Sequence, residues 1–315
     1  MATSSQAKPI TLNDQTTVNY SRARRTLNRF LRHRVAVVGL VVLIAIVLFV
    51  TLGALWYSEA DANYNDTKRS LLAPNAEFPL GTDTIGRNIL ARIIYGGQIS
   101  MLIGVTAVTV SVLVGTTIGV FSGYFGGVVD SLLMRFTEAM LSIPSLLLLL
   151  VMAKFFSGRI PQQEFLGRTF SGSVIVIVVI IGLTSWMYLA RIVRSAVLSI
   201  RETEYVMAAQ ALGATHRRII LAHILPNTLA PVIVAATLGV ASAILSEAYI
   251  SFLGVGVQPP TATWGNMLEG SRRYIDDAPW LWIFPGLMIV LTVMSINFVG
   301  DGLRDALDPR SDKKI

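Results

Sequence analysis

Uncharged apolar runs alternate with short polar, basic or glycine- and proline-rich stretches along nearly the whole chain. An α-helix rising ~1.5 Å per residue needs about 20 apolar residues to cross a hydrocarbon core of ~30 Å. The first run, 35–56, holds 22 residues without a charge and ends at the interfacial pair Trp56-Tyr57. It is longer than a signal peptide's apolar region and lacks a small-residue cleavage site, so it reads as a retained first helix with its N-terminus in the cytoplasm. Further spans are expected over 99–121, 132–153 and 171–190, from about Thr228 onward, and over 278–300. The pattern predicts an all-α integral membrane protein with six transmembrane helices.

Between these runs, local signals set further expectations. Residues 1–21, rich in Ser, Thr, Gln and Asn, read as a mobile tail, followed by Arg22, Arg24, Arg25, Arg29, Arg32 and Arg34. In 58–98, Thr82 or Asp83 can cap a surface helix on which Ile85, Ile89, Ile93 and Ile94 keep helical spacing, with Arg87 and Arg92 elsewhere on its surface. Gly115, Gly119, Gly123 and Gly127 recur every four residues, a spacing that lets two helix backbones approach closely; the alternative is a face lining a substrate path. Arg135 and Glu138 can pair on one helix face, and Pro144 should kink the third span. Glu247, ~28 Å along the fifth span, is placed near the outer surface, the alternative being a buried proton-relay carboxylate. The stretch SFLGVGVQPPTATWGNML (251–268) should leave regular structure in an outer loop. Pro309 should stop the last helix, with Lys313 and Lys314 beyond it.

Composition bounds the class in the same direction. With 53% hydrophobic and 14% charged residues, 315 residues cannot hide their apolar side chains in one soluble domain. The formal charge of +7 does not point to nucleic acid, because most basic residues adjoin apolar spans, as topology signals do. Lys plus Arg number 16 in 1–34, 123–131, 191–227 and 304–315, against nine in 58–98, 154–172 and 255–280. By the positive-inside rule the first group is cytoplasmic, together with both termini.

Little catalytic chemistry is available to the chain itself. None of the five lysines follows a glycine, so there is no phosphate-cradling loop. His33, His216 and His223 show no HExxH or comparable metal spacing, no GxSxG elbow is present, and there is no cysteine for a disulfide, thiolate or metal site. A transport subunit is expected, and not an enzyme.

The segment 202–227, ETEYVMAAQALGATHRRIILAHILPN, is unusual for a connection between spans. Small apolar residues predict a compact helix over 206–212, Gly213 permits a left-handed turn, and a second helical run with Arg217 and Arg218 should be stopped by Pro226. The spacing of Ala208, Ala209, Gly213, Leu225 and Pro226 resembles the EAA loop of bacterial ABC importer permeases; Met207 stands at that motif's glutamate position and His223 at its isoleucine position. The wider wording EYVMAAQALGA and RRIILAHILPN, the LGTD…GR sequence before the second span, and 251–268 are similar to the C-type subunit of dipeptide/oligopeptide permeases, over about 28–310.

That resemblance implies a type I ABC importer permease fold whose coupling helix, with Glu204, Met207, Ala208, Ala209, Gly213, Arg217, Arg218, Leu225 and Pro226, seats in an ATPase. It implies a cytoplasmic basic segment (1–34), a first helix (35–57), an extracytoplasmic segment (58–98), a five-helix permease domain (99–303) and a cytoplasmic tail (304–315). It further implies a second permease subunit, two cytoplasmic ATP-binding subunits that hold the ATP and Mg, and an extracytoplasmic peptide-binding protein, all at the bacterial inner membrane and in contact with its lipid. No cofactor is expected on this chain. The same machinery carrying nickel or glutathione is one alternative; an ion-coupled secondary carrier, which would place ionisable groups at the midplane, is another.

Overall fold

The computed structural model describes residues 22–156, 158–165 and 168–308. The tail expected over 1–21, the stop at Pro309 and the terminal Lys313 and Lys314 fall outside the described residues. Five helical stretches are long and apolar enough to cross a membrane. They are α2 (Arg34–Leu52, continued by a 3-10 turn over Gly53–Leu55), α4 (Ile89–Phe125), α7 (Gly172–Arg201), the stretch His216–Phe252 ending in α10 (Leu225–Phe252), and α12 (Trp280–Leu307). The bent pair α5 (Gly127–Ser142) and α6 (Ser145–Phe156), counted as one span, makes six.

The kink expected at Pro144 is an 83° break. Ile143, ahead of the proline, is extended (φ −80°, ψ 126°), because the ring excludes its predecessor from the helical region. Among the described residues no ion pair joins Arg135 to Glu138. The only described strands are two of three residues each, β1 (Gln163–Phe165) and β2 (Arg168–Phe170), paired antiparallel before α7.

The surface helix expected from Thr82 or Asp83 does not form. Asp83 Oδ1 instead accepts from the Ile85 and Arg87 amides (3.0 and 2.9 Å), and its Oδ2 accepts from Arg87 Nε at 2.6 Å. Both oxygens are thus committed to a turn. Asn88 caps the helix in their place, accepting from Leu90 and Ala91, and α4 then runs 37 residues without interruption. Ile89, Ile93 and Ile94 are buried on it, and so is Arg92, expected on the surface; Arg92 Nη1 reaches the Ala62 carbonyl at 3.4 Å.

The bundle is built around α4 and α7, its most extensive helix pairing. A Cβ added at Gly115, Gly119 or Gly123 would lie 2.7, 2.6 or 2.9 Å from the carbonyl oxygens of Trp186, Ala190 and Arg194, so the two backbones touch where no side chain fits. Gly127 does not extend this contact. Gly126 (φ +67°) ends α4, and Gly127 (φ +54°) opens α5 with nothing within 4 Å of an added Cβ.

Contacts between elements fix the two ends of the bundle. At one end, a basic helix α1 (Arg22–Arg32) packs Phe30 against Ala306 near the end of α12, and Tyr124 at the end of α4 meets His216 after α7. The described chain ends therefore share a side with segment 202–227. The other end holds the short helix α3 (Glu59–Asn63), the hairpin β1–β2, and a loop leading into α11 (Trp264–Ser271). That loop is not a simple outer connection. Trp264 is fully buried, donates from Nε1 to the Ile93 carbonyl (3.0 Å), and lies where a Cβ on Gly97 would come within 2.5 Å of its ring.

Candidate functional site

Segment 202–227 stands at the end of the bundle that carries α1. α7 runs on past residue 190, the end expected for it, to Arg201, whose Nη1 donates to the Tyr124 carbonyl at 2.9 Å. α8 (Glu204–Ala211) then forms over an alanine-rich octet, with Glu204 in its first turn where the helix dipole favours an acid. Gly213, at φ +79°, ends it: its amide bonds the Gln210 carbonyl (2.9 Å) and the Ala214 amide bonds that of Ala209 (3.0 Å), the paired return of a Schellman turn. Thr215 caps α9 (His216–Ile219).

Pro226 does not stop the second run. A π turn over Ile220–Ile224 precedes it, in which the Leu225 amide reaches back five residues to the Ile220 carbonyl. The proline then occupies the first turn of α10, where its missing N–H costs nothing, and the helix continues to Phe252.

The segment has two faces. Val206, Ile219 and Ile224 are buried with Val120, Tyr124, Val193 and Val197, a cluster shared with the ends of α4 and α7. The Tyr124 hydroxyl meets His216 Nδ1 at 2.7 Å across the same junction. On the outer face Glu204, Met207, Ala208, Gly213, Arg217, Arg218 and Pro226 are exposed, while Ala209 and Leu225 are partly covered. Leu212, at the tip, is 88% exposed. The geometry is that of a small-residue knuckle with a basic flank, fixed to α4 and α7 by its root.

Sequence reasoning missed the root. Tyr124, Arg201 and His216 carry no motif of their own, and only the helical spacing of Val193 and Val197 hints at a buried face. It also missed a second tie. Asp130 in the first turn of α5 accepts from Arg194 Nε (2.5 Å) and Nη2 (2.6 Å) and from the Ser122 hydroxyl, joining α5 to α4 and α7. Apart from Thr137, α5 buries no residue, so this bidentate pair is its main polar anchor. Replacing Asp130 by Asn should release α5, costing about 1–3 kcal/mol. The double exchange D130R/R194D should recover part of the loss; a thermal melt of the purified chain that does not separate single from double variant would refute the anchor.

At the far end, Glu247 differs from expectation. It lies close to the end of α10, as its distance along the span required, but is 0% exposed. Its oxygens accept from the hydroxyls of Ser251 (2.7 Å) and Ser100 (3.1 Å). The span expected to begin near Thr228 starts twelve residues earlier, at His216, and packs along α4, which supplies Ser100.

Comparison with known proteins gives these features their setting. Residues 115–313 match the family model described as binding-protein-dependent transport system inner membrane component, and residues 21–74 match the N-terminal TM domain of oligopeptide transport permease C. The dipeptide transport system permease protein DppC of Alkalihalophilus pseudofirmus is 41% identical over 91% of this chain and 90% of its own length. The oligopeptide transport system permease protein OppC of Haemophilus influenzae is 41% identical over 90% of this chain and 86% of its own. A solved amino acid ABC transporter aligns at a TM-score of 0.47 with 16% identity, over 65% of this chain and 89% of that one. Segment 202–227, the glycine contacts of α4 and the tie at Asp130 all fall within 115–313, and the chain belongs to the binding-protein-dependent transport system inner membrane component family, as a transport permease subunit of the ABC class and not itself an enzyme.

Proposed function

We propose that this chain is one of two permease subunits of an ATP-driven importer of di- and oligopeptides, and that segment 202–227 takes up the motion of a partner ATPase. The observation carrying this is a knuckle that exposes Met207, Ala208 and Gly213, with Ala209 partly covered beside them, and whose root is buried between α4 and α7. Peptide permeases aligned over nine-tenths of the chain support the cargo. ATP and Mg then belong to two cytoplasmic partner subunits, and an extracytoplasmic binding protein delivers the peptide. The shared side of α1, the end of α12 and the knuckle supports a cytoplasmic position for all three.

In this reading the ATPases close on ATP and press the knuckle. Val206, Ile219 and Ile224 carry the displacement to α4 and α7, while Arg201 and His216 hold the junction. Arg217 and Arg218 meet acidic groups of the ATPase. The path opens outward and resets on hydrolysis.

Gly213→Val tests the reading. An added Cβ at Gly213 meets nothing within 4 Å, so the variant's burden is the left-handed backbone, about 1–3 kcal/mol for a β-branched residue. The α8–α9 turn should open, and ATP-dependent peptide uptake by the reconstituted complex should fall at least about tenfold with the chain still in the membrane. Gly213→Asn, which tolerates φ > 0, should retain most uptake. Normal uptake by the valine variant, or uptake by the isolated chain without ATPase, would defeat the coupling role. Uptake of nickel or glutathione in place of peptide would change the cargo alone.

A further inference from the structure

We propose that α1 is an interfacial anchor that binds the phosphates of anionic phospholipids at the knuckle end of the bundle. Residues 22–34 contain six arginines and no acidic residue, the densest positive charge in the chain. Among the described residues, one side of the helix meets the bundle. Phe30 is buried with Ala36 and Ala306, Arg29 Nη1 donates to the Asp308 carbonyl at 3.4 Å, and His33 Nε2 lies 3.5 Å from Asp305. His33 also separates α1 from α2, its Nδ1 accepting from the Ala36 amide (3.1 Å).

The other side is apolar and uncovered. Leu27 and Leu31, four residues apart on α1, are 55% and 53% exposed, and beyond the break at His33 the first turn of α2 exposes Val35 and Val38 as well. Of the five single-helix spans α2 is the least buried, so α1 leads into a helix whose apolar surface is largely uncovered. Arg32 and Arg34 are exposed beside it. Exposed leucines leading into an apolar transmembrane helix, in a segment with six arginines and no acid of its own, match a leaflet with negative headgroups above hydrocarbon. A protein partner would have to supply both an acidic rim and an apolar floor where the leucines meet lipid. The inference needs only that the chain lies in a membrane, and it stands apart from the cargo and from the ATPase.

The test places the whole complex in lipid nanodiscs containing spin-labelled phosphatidylglycerol or phosphatidylcholine. The native chain should retain phosphatidylglycerol preferentially. Arg32→Gln with Arg34→Gln should lower that preference, by about fivefold for each charge at low salt and less as salt is raised. A photoreactive side chain at position 31 of the otherwise native chain should be captured by lipid, a readout that does not depend on the arginine variant assembling. Unchanged selectivity in the double variant, or capture of a protein neighbour at position 31, would overturn the proposal.

Discussion

Glu247→Leu is expected to detach the loop before α11 from the bundle and to lower the unfolding midpoint of the purified protein. The carboxylate is the common acceptor for two hydroxyls, and each hydroxyl is itself aimed by a backbone amide. Ser100 accepts from the Trp264 N–H (3.2 Å) and donates to one carboxylate oxygen; Ser251 accepts from the Val257 N–H (3.1 Å) and donates to the other. One side chain on α10 thereby organises α4, its own helix end and the entry to α11. Leucine would leave two buried hydroxyl protons without an acceptor, at about 1–3 kcal/mol each, or about 2–6 kcal/mol together. Glutamine keeps one carbonyl oxygen in place, so the order of stability should be Glu, Gln, Leu. Thermal melts of the three proteins check the order. Hydrogen exchange over 253–263 checks the location, since amides there should exchange faster in the leucine variant while those of α7 stay protected. Equal melts, or exchange that rises uniformly along the chain, would remove Glu247 from this role.

That network also marks the limit of what the pattern of residues disclosed. The spans were legible because an apolar run of 20 residues has few alternatives, and the turn at Gly213 was legible because glycine at the end of an alanine-rich stretch answers one local need. Both depend on neighbours in the chain. Asn88 as the cap of α4, in place of Thr82 or Asp83, depends on Asp83 being engaged by Arg87, which a scan for capping residues does not weigh. Pro226 reads as a terminator because the π turn that relieves it leaves no residue signature. Burial was the hardest to foresee. Arg92 and Glu247 carry charges that point to a surface, yet both lie inside, since Ala62 and Ser100 come from elsewhere in the fold, and Ser251 from one turn further along α10, to meet them. The residues of 202–227 are singled out by a family motif; the contact of that segment's root at Tyr124 and Arg201 spans about 80 residues, and no local motif encodes it.

Gly119→Leu is expected to be the most damaging change in the helix pairing at the centre of the bundle. An added Cβ alone would lie 2.6 Å from the Ala190 carbonyl oxygen and 2.7 Å from Val193 Cβ, and the first of these is backbone that no rotamer change can clear. Alanine therefore forces the helices apart by a few tenths of an ångström, at about 1–3 kcal/mol, and leucine by more. Gly270→Ala provides the control, because nothing lies within 4 Å of its added Cβ and its backbone is helical. Gly119 sits one turn and a little more before Tyr124, and Val193 one turn before Val197, so a wedge there displaces the surface on which Val206 and Ile219 rest. Two losses should accordingly appear in sequence. Gly119→Ala should assemble with a lowered melting temperature and, on the proposed coupling role, consume more ATP per peptide delivered in the reconstituted importer, because the knuckle would then press on a loosened support. Gly119→Leu should fail to accumulate in the membrane. If Gly119→Ala melts and couples like the native protein, α4 and α7 are not a rigid pair supporting the knuckle, and the proposed coupling through their contact fails.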